Sequence, residues 1–114
     1  MMEIYGKERG FSLTVRAASD VARLCPDGDL TRMGEILKGK NFADNLEVIS
    51  KFIVAMSNGY EERKHFETGE APDPLTIEQV QSLTMDELTK LQEEAFSAFN
   101  GDAKPSVEAE PLKK

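Results

Sequence analysis

The sequence predicts a mainly α-helical (α+β) domain: an N-terminal β-hairpin, then a compact bundle of about five or six short helices, then a disordered charged tail. Three observations carry this. Period-two alternation is confined to the residues before Arg16, apolar residues recur at helical spacing from there to Phe99, and capping residues stand at the start of several of those stretches. The domain is expected to span 1–101 and the tail 102–114.

In the hairpin, Ile4 and Tyr5 lead into GKERG, after which Phe11, Leu13 and Val15 face one way and Ser12 and Thr14 the other. This pattern places a loop at Gly6–Gly10, with Lys7, Glu8 and Arg9 solvated at its tip. A lone two-stranded hairpin is marginal in water, so its apolar side must lie on helices or on another chain.

Ala18, Val21, Ala22 and Leu24/Cys25 give a first helix from Arg16, stopped by Cys25-Pro26 and Asp27-Gly28. Asp29 can cap a short helix carrying Leu30, Met33, Ile36 and Leu37, which ends at Lys38-Gly39. The strongest pattern runs from about Phe42 to Ser57, capped near Asn41 and closed by Asn58-Gly59. Phe42, Leu46, Ile49, Ile53 and Met56 form one stripe, with Val48, Phe52 and Ala55 beside it, so this helix belongs at the centre of the core. Tyr60 to Thr68 predicts a separate, highly charged helix, and GEAPDP a surface loop.

Two capping boxes follow, Thr76 with Gln79 and Thr84 with Glu87. The first opens a helix with Ile77, Val80 and Leu83, the second a helix with Leu88, Leu91, Ala95, Phe96 and Phe99 that is expected to stop at Asn100-Gly101. In DAKPSVEAEPLKK, two prolines, alternating charge and almost no large apolar residue predict disorder.

With 14 Lys and Arg against 21 Asp and Glu, the formal net charge is −7, the wrong sign for nucleic acid or an anionic membrane surface. The paired helices from Thr76 onward have helix-turn-helix proportions, but the second begins Met85-Asp86-Glu87 and phosphates would repel it. No apolar run approaches the roughly 20 residues of a membrane span, and the start lacks the flanks of a secretory signal, so a cytoplasmic protein is expected. One cysteine excludes an internal disulfide.

The chemistry-bearing residues do not converge. His65, the only histidine, stands among charged helix residues without a nucleophile beside it, and Cys25 reads as a core or core-edge residue. Asp27-Gly28-Asp29 lacks the alternating oxygen ligands and closing Glu of a calcium loop. The carboxylates of 61–67 and 86–94 read as solvated helix faces, and no phosphate-cradling glycine loop exists. The expectation is no enzyme, no catalytic or metal site and no cofactor.

What remains is contact with another protein by apolar surface, the acidic excess serving solubility and self-avoidance. Candidate contacts are Tyr60 and Phe66, on the most charged helix, and Phe96 and Phe99, at the end of the last one. Self-association is left open.

The hairpin, then ARLCPDGDLTRMGEIL, AMSNGYEERKHFE, EAPDPLTIEQVQSLTMDEL and the charged tail, in this order and at these separations, resemble the small tail assembly chaperones of long-tailed phages and prophages of Firmicutes. The resemblance spans roughly Met2 to Lys114 and rests on the order of segments, each of which alone is a cap, turn or helix face. It implies a non-enzymatic protein of the host cytoplasm, absent from the mature virion, that binds the tape measure protein and keeps it soluble until the tail tube polymerises. It also implies a longer frameshifted form, with the overlapping frame beginning near Lys113-Lys114, that recruits tail tube protein. It supplies no catalytic or site residues. The alternatives are a small acidic regulatory or antitoxin-like protein that sequesters another protein, and a DNA mimic.

Overall fold

The chain opens as a tight hairpin in which β1 (Met2–Ile4) pairs antiparallel with β2 (Lys7–Arg9), Met2 opposite Arg9 and Ile4 opposite Lys7. The computed structural model describes residues 2–109, with side chains described through Asp102. The hairpin is displaced from its expected place: Lys7-Glu8-Arg9 is a strand, not a loop tip. The reason is the two-residue turn Tyr5-Gly6, whose φ values of 51° and 82° are those of a type I′ turn, the geometry whose twist matches paired strands. Residues 11–14, expected as the second strand, run to the first helix without a strand partner, tied down where Ser12 N–H donates to Met56 O at 3.0 Å.

Helix α1 (Val15–Ala22) starts at Thr14, whose hydroxyl accepts from Ala17 N–H at 3.1 Å, and it buries Ala17 and Val21. Two 3₁₀ segments follow, Pro26–Gly28 and Leu30–Glu35. The second is the short helix expected after Asp29, whose carboxylate accepts from Thr31 N–H at 3.0 Å.

Helix α2 is one continuous helix, Phe42–Thr68, where the sequence pattern gave two. Asn58 and Gly59 do not close it because each meets a neighbour in mid-helix. A Cβ on Gly59 would lie 2.6 Å from Ser12 O and 3.0 Å from Ala17 Cβ, so the glycine lets α1 and the segment before it press onto α2. Asn41 caps the start, accepting from Asp44 N–H at 2.8 Å. Ile49, Phe52, Ile53, Ala55 and Met56 are buried as expected, whereas Phe42, the first residue of the stripe, is 68% exposed. It precedes the part of α2 that other elements cover.

Both capping boxes form: Thr76 with Gln79 opens α3 (Ile77–Gln81), and Thr84 with Glu87 opens α4 (Met85–Ala109). Helix α4 runs through Asn100-Gly101 instead of stopping there. Of the expected tail 102–114, the backbone is helical to Ala109, while 110–114, including Lys113-Lys114, lie outside the described residues.

Helices α1, α3 and α4 all pack on α2. Their shared core joins Val21, Phe52, Ile53, Met56, Leu75, Val80, Leu91 and Ala95 with Ile4 of the hairpin. The hairpin thus rests on the helices, as a two-stranded sheet must. Among the described residues, no helix is long and apolar enough to cross a membrane.

Candidate functional site

The four candidate contacts do not come together. Phe99 is 7% exposed and meets Phe52 edge-on at 5.9 Å, so it belongs to the core, and half-buried Phe96 stacks on the same ring at 4.4 Å at the core's edge. Tyr60 is half-buried, its ring lying where a Cβ on Gly10 would stand, 2.5 Å away. Only Phe66, 86% exposed beside the His65 ring, offers its face to a partner.

A concave, partly apolar surface lies elsewhere. Its walls follow from three helix ends. The Asn41 cap sets the first turns of α2, and the capping boxes at Thr76 and Thr84 fold α3 and α4 into a corner with Ser82-Leu83-Thr84 between them. Between that corner and α2 runs an open groove of about 440 Å³, lined by Ala43, Asp44, Leu46, Glu47 and Ser50 of α2, Val80 and Gln81 of α3, Leu83, and Met85 and Leu88 of α4. Val80 and Leu88 form its buried floor, Leu46 and Leu83 are half-buried, and Met85 is 53% exposed. The Ser50 hydroxyl donates to Leu46 O at 2.8 Å and so presents little unmet polarity to the groove. Its volume is in the range of clefts that bury ligand side chains or small molecules, about 300–1,000 Å³.

A smaller hollow of about 70 Å³ adjoins it at Leu83, lined also by Met2, Glu3, Ile4, Tyr5, Glu87 and Leu91. The sequence pattern marked Leu46, Leu83 and Leu88 as apolar helix positions. Whether such a position ends in the core or in a groove depends on how far the neighbouring helix covers it. Phe66 belongs to a different region, about 30 Å from Leu46 along the axis of α2 at 1.5 Å per residue.

The other feature that sequence patterning missed is a buried polar cluster. Arg9 and Glu61 are 3% and 1% exposed. Asp73 links them: its N–H donates to Glu61 Oε1 at 3.0 Å, its carbonyl accepts from the Arg9 guanidinium, and its carboxylate accepts from Lys7 Nζ at 3.1 Å. Lys7 also lies 3.4 Å from Glu61 Oε1. Among the described residues, Arg9 Nε and Glu61 Oε2 have no hydrogen-bond partner. The Lys7 hydrogen bond, then the charges of Arg9 and Lys7, hold the Asp73 carboxyl below its ordinary value. Glu61 lines neither the groove nor the hollow beside it nor the two further hollows near Asn58 and Tyr60, so the cluster reads as a clasp between hairpin, α2 and the 69–76 loop.

The remaining titratable candidates are engaged locally. Asp27 pairs with Arg32 at 2.8 Å and Asp29 caps Thr31, which accounts for both carboxylates of the Asp-Gly-Asp turn. His65 Nδ1 lies 2.7 Å from Glu70 O at the end of α2. Burial, then the Asp29 charge, push the Cys25 thiol up, away from the reactive thiolate. Among the described residues no group of three or more His, Cys, Asp and Glu is placed to hold a metal ion. Compared with protein-family models, curated proteins and solved structures, the chain has no significant match.

Proposed function

We propose that this protein is a non-enzymatic phage tail assembly chaperone that holds the tape measure protein in its groove and keeps it soluble in the host cytoplasm while the tail tube forms. The single observation that carries the holding role is the open groove between α2 and the α3/α4 corner, apolar on its floor and accessible along Leu46, Leu83 and Met85. An aggregation-prone amphipathic helix can lay its apolar stripe into such a groove, each partner covering what the other exposes. Met85 supplies a flexible lip that re-packs around successive segments of a repetitive target. The order of segments along the chain supports the phage assignment.

Surface charge supports a protein partner over mimicry of DNA. Glu62, Glu67, Glu47 and Asp86 each face a cation, at 3.1, 3.1, 3.8 and 3.3 Å, so these four carboxylates do not add to the run of unpaired charge that a mimic needs.

The test is co-expression with a tape measure protein, the long coiled-coil partner that this reading expects beside the gene. A several-fold rise in that protein's soluble fraction, with the two eluting together in gel filtration, is the expected result. No gain in solubility contradicts the reading. A toxin or regulator gene in that position would redirect the test to sequestration.

A further inference from the structure

We infer that the groove selects a basic amphipathic helix, an inference that rests on the partner-holding reading above and adds the chemistry of the held segment. The groove and the hollow that adjoins it at Leu83 are bordered by Glu3, Asp44, Glu47 and Glu87, and neither is lined by Lys or Arg. The two other hollows have mixed charge, one with Arg16 and the other with Arg63 and Lys64. An open apolar surface bordered by carboxylates and by no cation is complementary to an apolar stripe flanked by cations.

The nearest cations on the bordering helices lie one turn along and are already paired, Lys51 with Glu47 at 3.8 Å and Lys90 with Asp86 at 3.3 Å. Glu87 gives one oxygen to the Thr84 N–H at 2.9 Å, and Glu3 and Asp44 have no ion pair among the described residues. Of the rim carboxylates, Glu47 is thus partly neutralised by Lys51, while Glu3, Asp44 and Glu87 keep negative charge that no described ion pair offsets.

Backbone accounting favours a helix over a strand as occupant. At the two helix starts that wall the groove, Asn41 accepts from Asp44 N–H at 2.8 Å and Thr84 from Glu87 N–H at 3.2 Å. These walls present side chains, so the occupant has to satisfy its own backbone, as a helix does.

The probes are two synthetic peptides of about 20 residues, long enough to form helix, with the same apolar residues at i, i+3, i+4 and i+7 and a polar face of Lys in one and Glu in the other. Fluorescence anisotropy with the full chain is expected to give roughly tenfold tighter binding of the Lys peptide at low ionic strength, the gap narrowing as salt screens the rim. Asp44→Lys/Glu47→Lys should reverse the preference. Glu67→Lys/Glu93→Lys, which changes net charge equally away from the groove, should keep it. Equal affinities, or a preference that follows net charge in both variants alike, overturn the inference and leave the holding role standing. Neither peptide binding, while the co-expressed partner is still kept soluble, overturns it too. Loss of solubility protection as well would be the failure of the holding role itself.

Discussion

One side chain in the middle of α2, Asn58, holds both backbone groups of Leu75, seventeen positions later: Oδ1 accepts from Leu75 N–H at 2.8 Å and Nδ2 donates to Leu75 O at 3.4 Å. Leu75 is 1% exposed and leads directly into the Thr76 capping box, so this clasp fixes where α3 begins and with it one wall of the groove. Asn58→Ala leaves the Leu75 N–H without its partner and should cost about 1–3 kcal/mol in chemical denaturation. Asn58→Asp retains the stronger acceptor and should recover part of that. Equal losses in both variants would mean that the Oδ1 acceptor alone does not carry the clasp and that the Nδ2 bond to Leu75 O is needed as well.

Two helical glycines should respond to alanine with opposite signs. At Gly59 the added Cβ meets Ser12 O, itself fixed by the Ser12 N–H bond to Met56 O, so the helix-propensity gain is outweighed and a net loss of about 1–2 kcal/mol is expected. At Gly101 nothing lies within 4 Å of the new methyl, and Gly101→Ala should gain about 0.5–1 kcal/mol. Thermal midpoints of the two variants moving the same way would contradict this packing of α1 on α2.

Acid should reveal the Asp73 clasp. Its carboxyl is depressed below the ordinary 3.8 in the folded protein, so the unfolded chain takes up the proton more readily and stability rises with pH through that window. The contribution is full above 3.8 and is lost as pH falls through the depressed folded value. Asp29 and Glu35 are lowered as well and are common to wild type and variant. Urea midpoints of wild type and Asp73→Asn should differ near neutrality and converge as pH falls below 3.8 and through the depressed folded value. A gap that persists at the acid end would assign the difference to geometry instead of charge.

Ile53 is fully buried at the centre of the α2 stripe, and Ile53→Ala should destabilise by about 2–5 kcal/mol. Unchanged stability with lost partner binding would move this stripe from the core to the binding surface.

The local signals were legible and the long-range ones were not. Caps at Asn41, Thr76 and Thr84 were read from the sequence because a capping box is contained within four residues, and the core stripe of α2 because its period is set by the helix itself. Three readings failed where the deciding partner is distant. Asn58-Gly59 has the composition of a helix stop, but Leu75 and Ser12 occupy both residues in mid-helix. Lys7-Glu8-Arg9 has the composition of a solvated loop, but Tyr5 accepts positive φ, and residues 54 to 66 positions away receive the two cations. Phe96 and Phe99 lie at the end of the apolar pattern, yet Phe52 meets both rings, with Phe99 buried and Phe96 half-buried at the core's edge. The groove was hidden for a related reason: Leu46 and Leu83 share one sequence pattern with fully covered residues, and only the placement of α3 and α4 against α2 leaves them half-open.

The most direct measurement compares the soluble fraction of a co-expressed tape measure protein, the proposed partner, with wild type, with Ala43→Arg/Met85→Arg and with Phe66→Ser. Ala43 and Met85 are exposed groove residues, so the arginines obstruct the groove with little effect on the fold, which the thermal midpoint monitors. The account predicts protection by wild type and by Phe66→Ser, and loss of most of it with the obstructed groove at an unchanged midpoint. Full protection by the obstructed variant, or loss confined to Phe66→Ser, would contradict it.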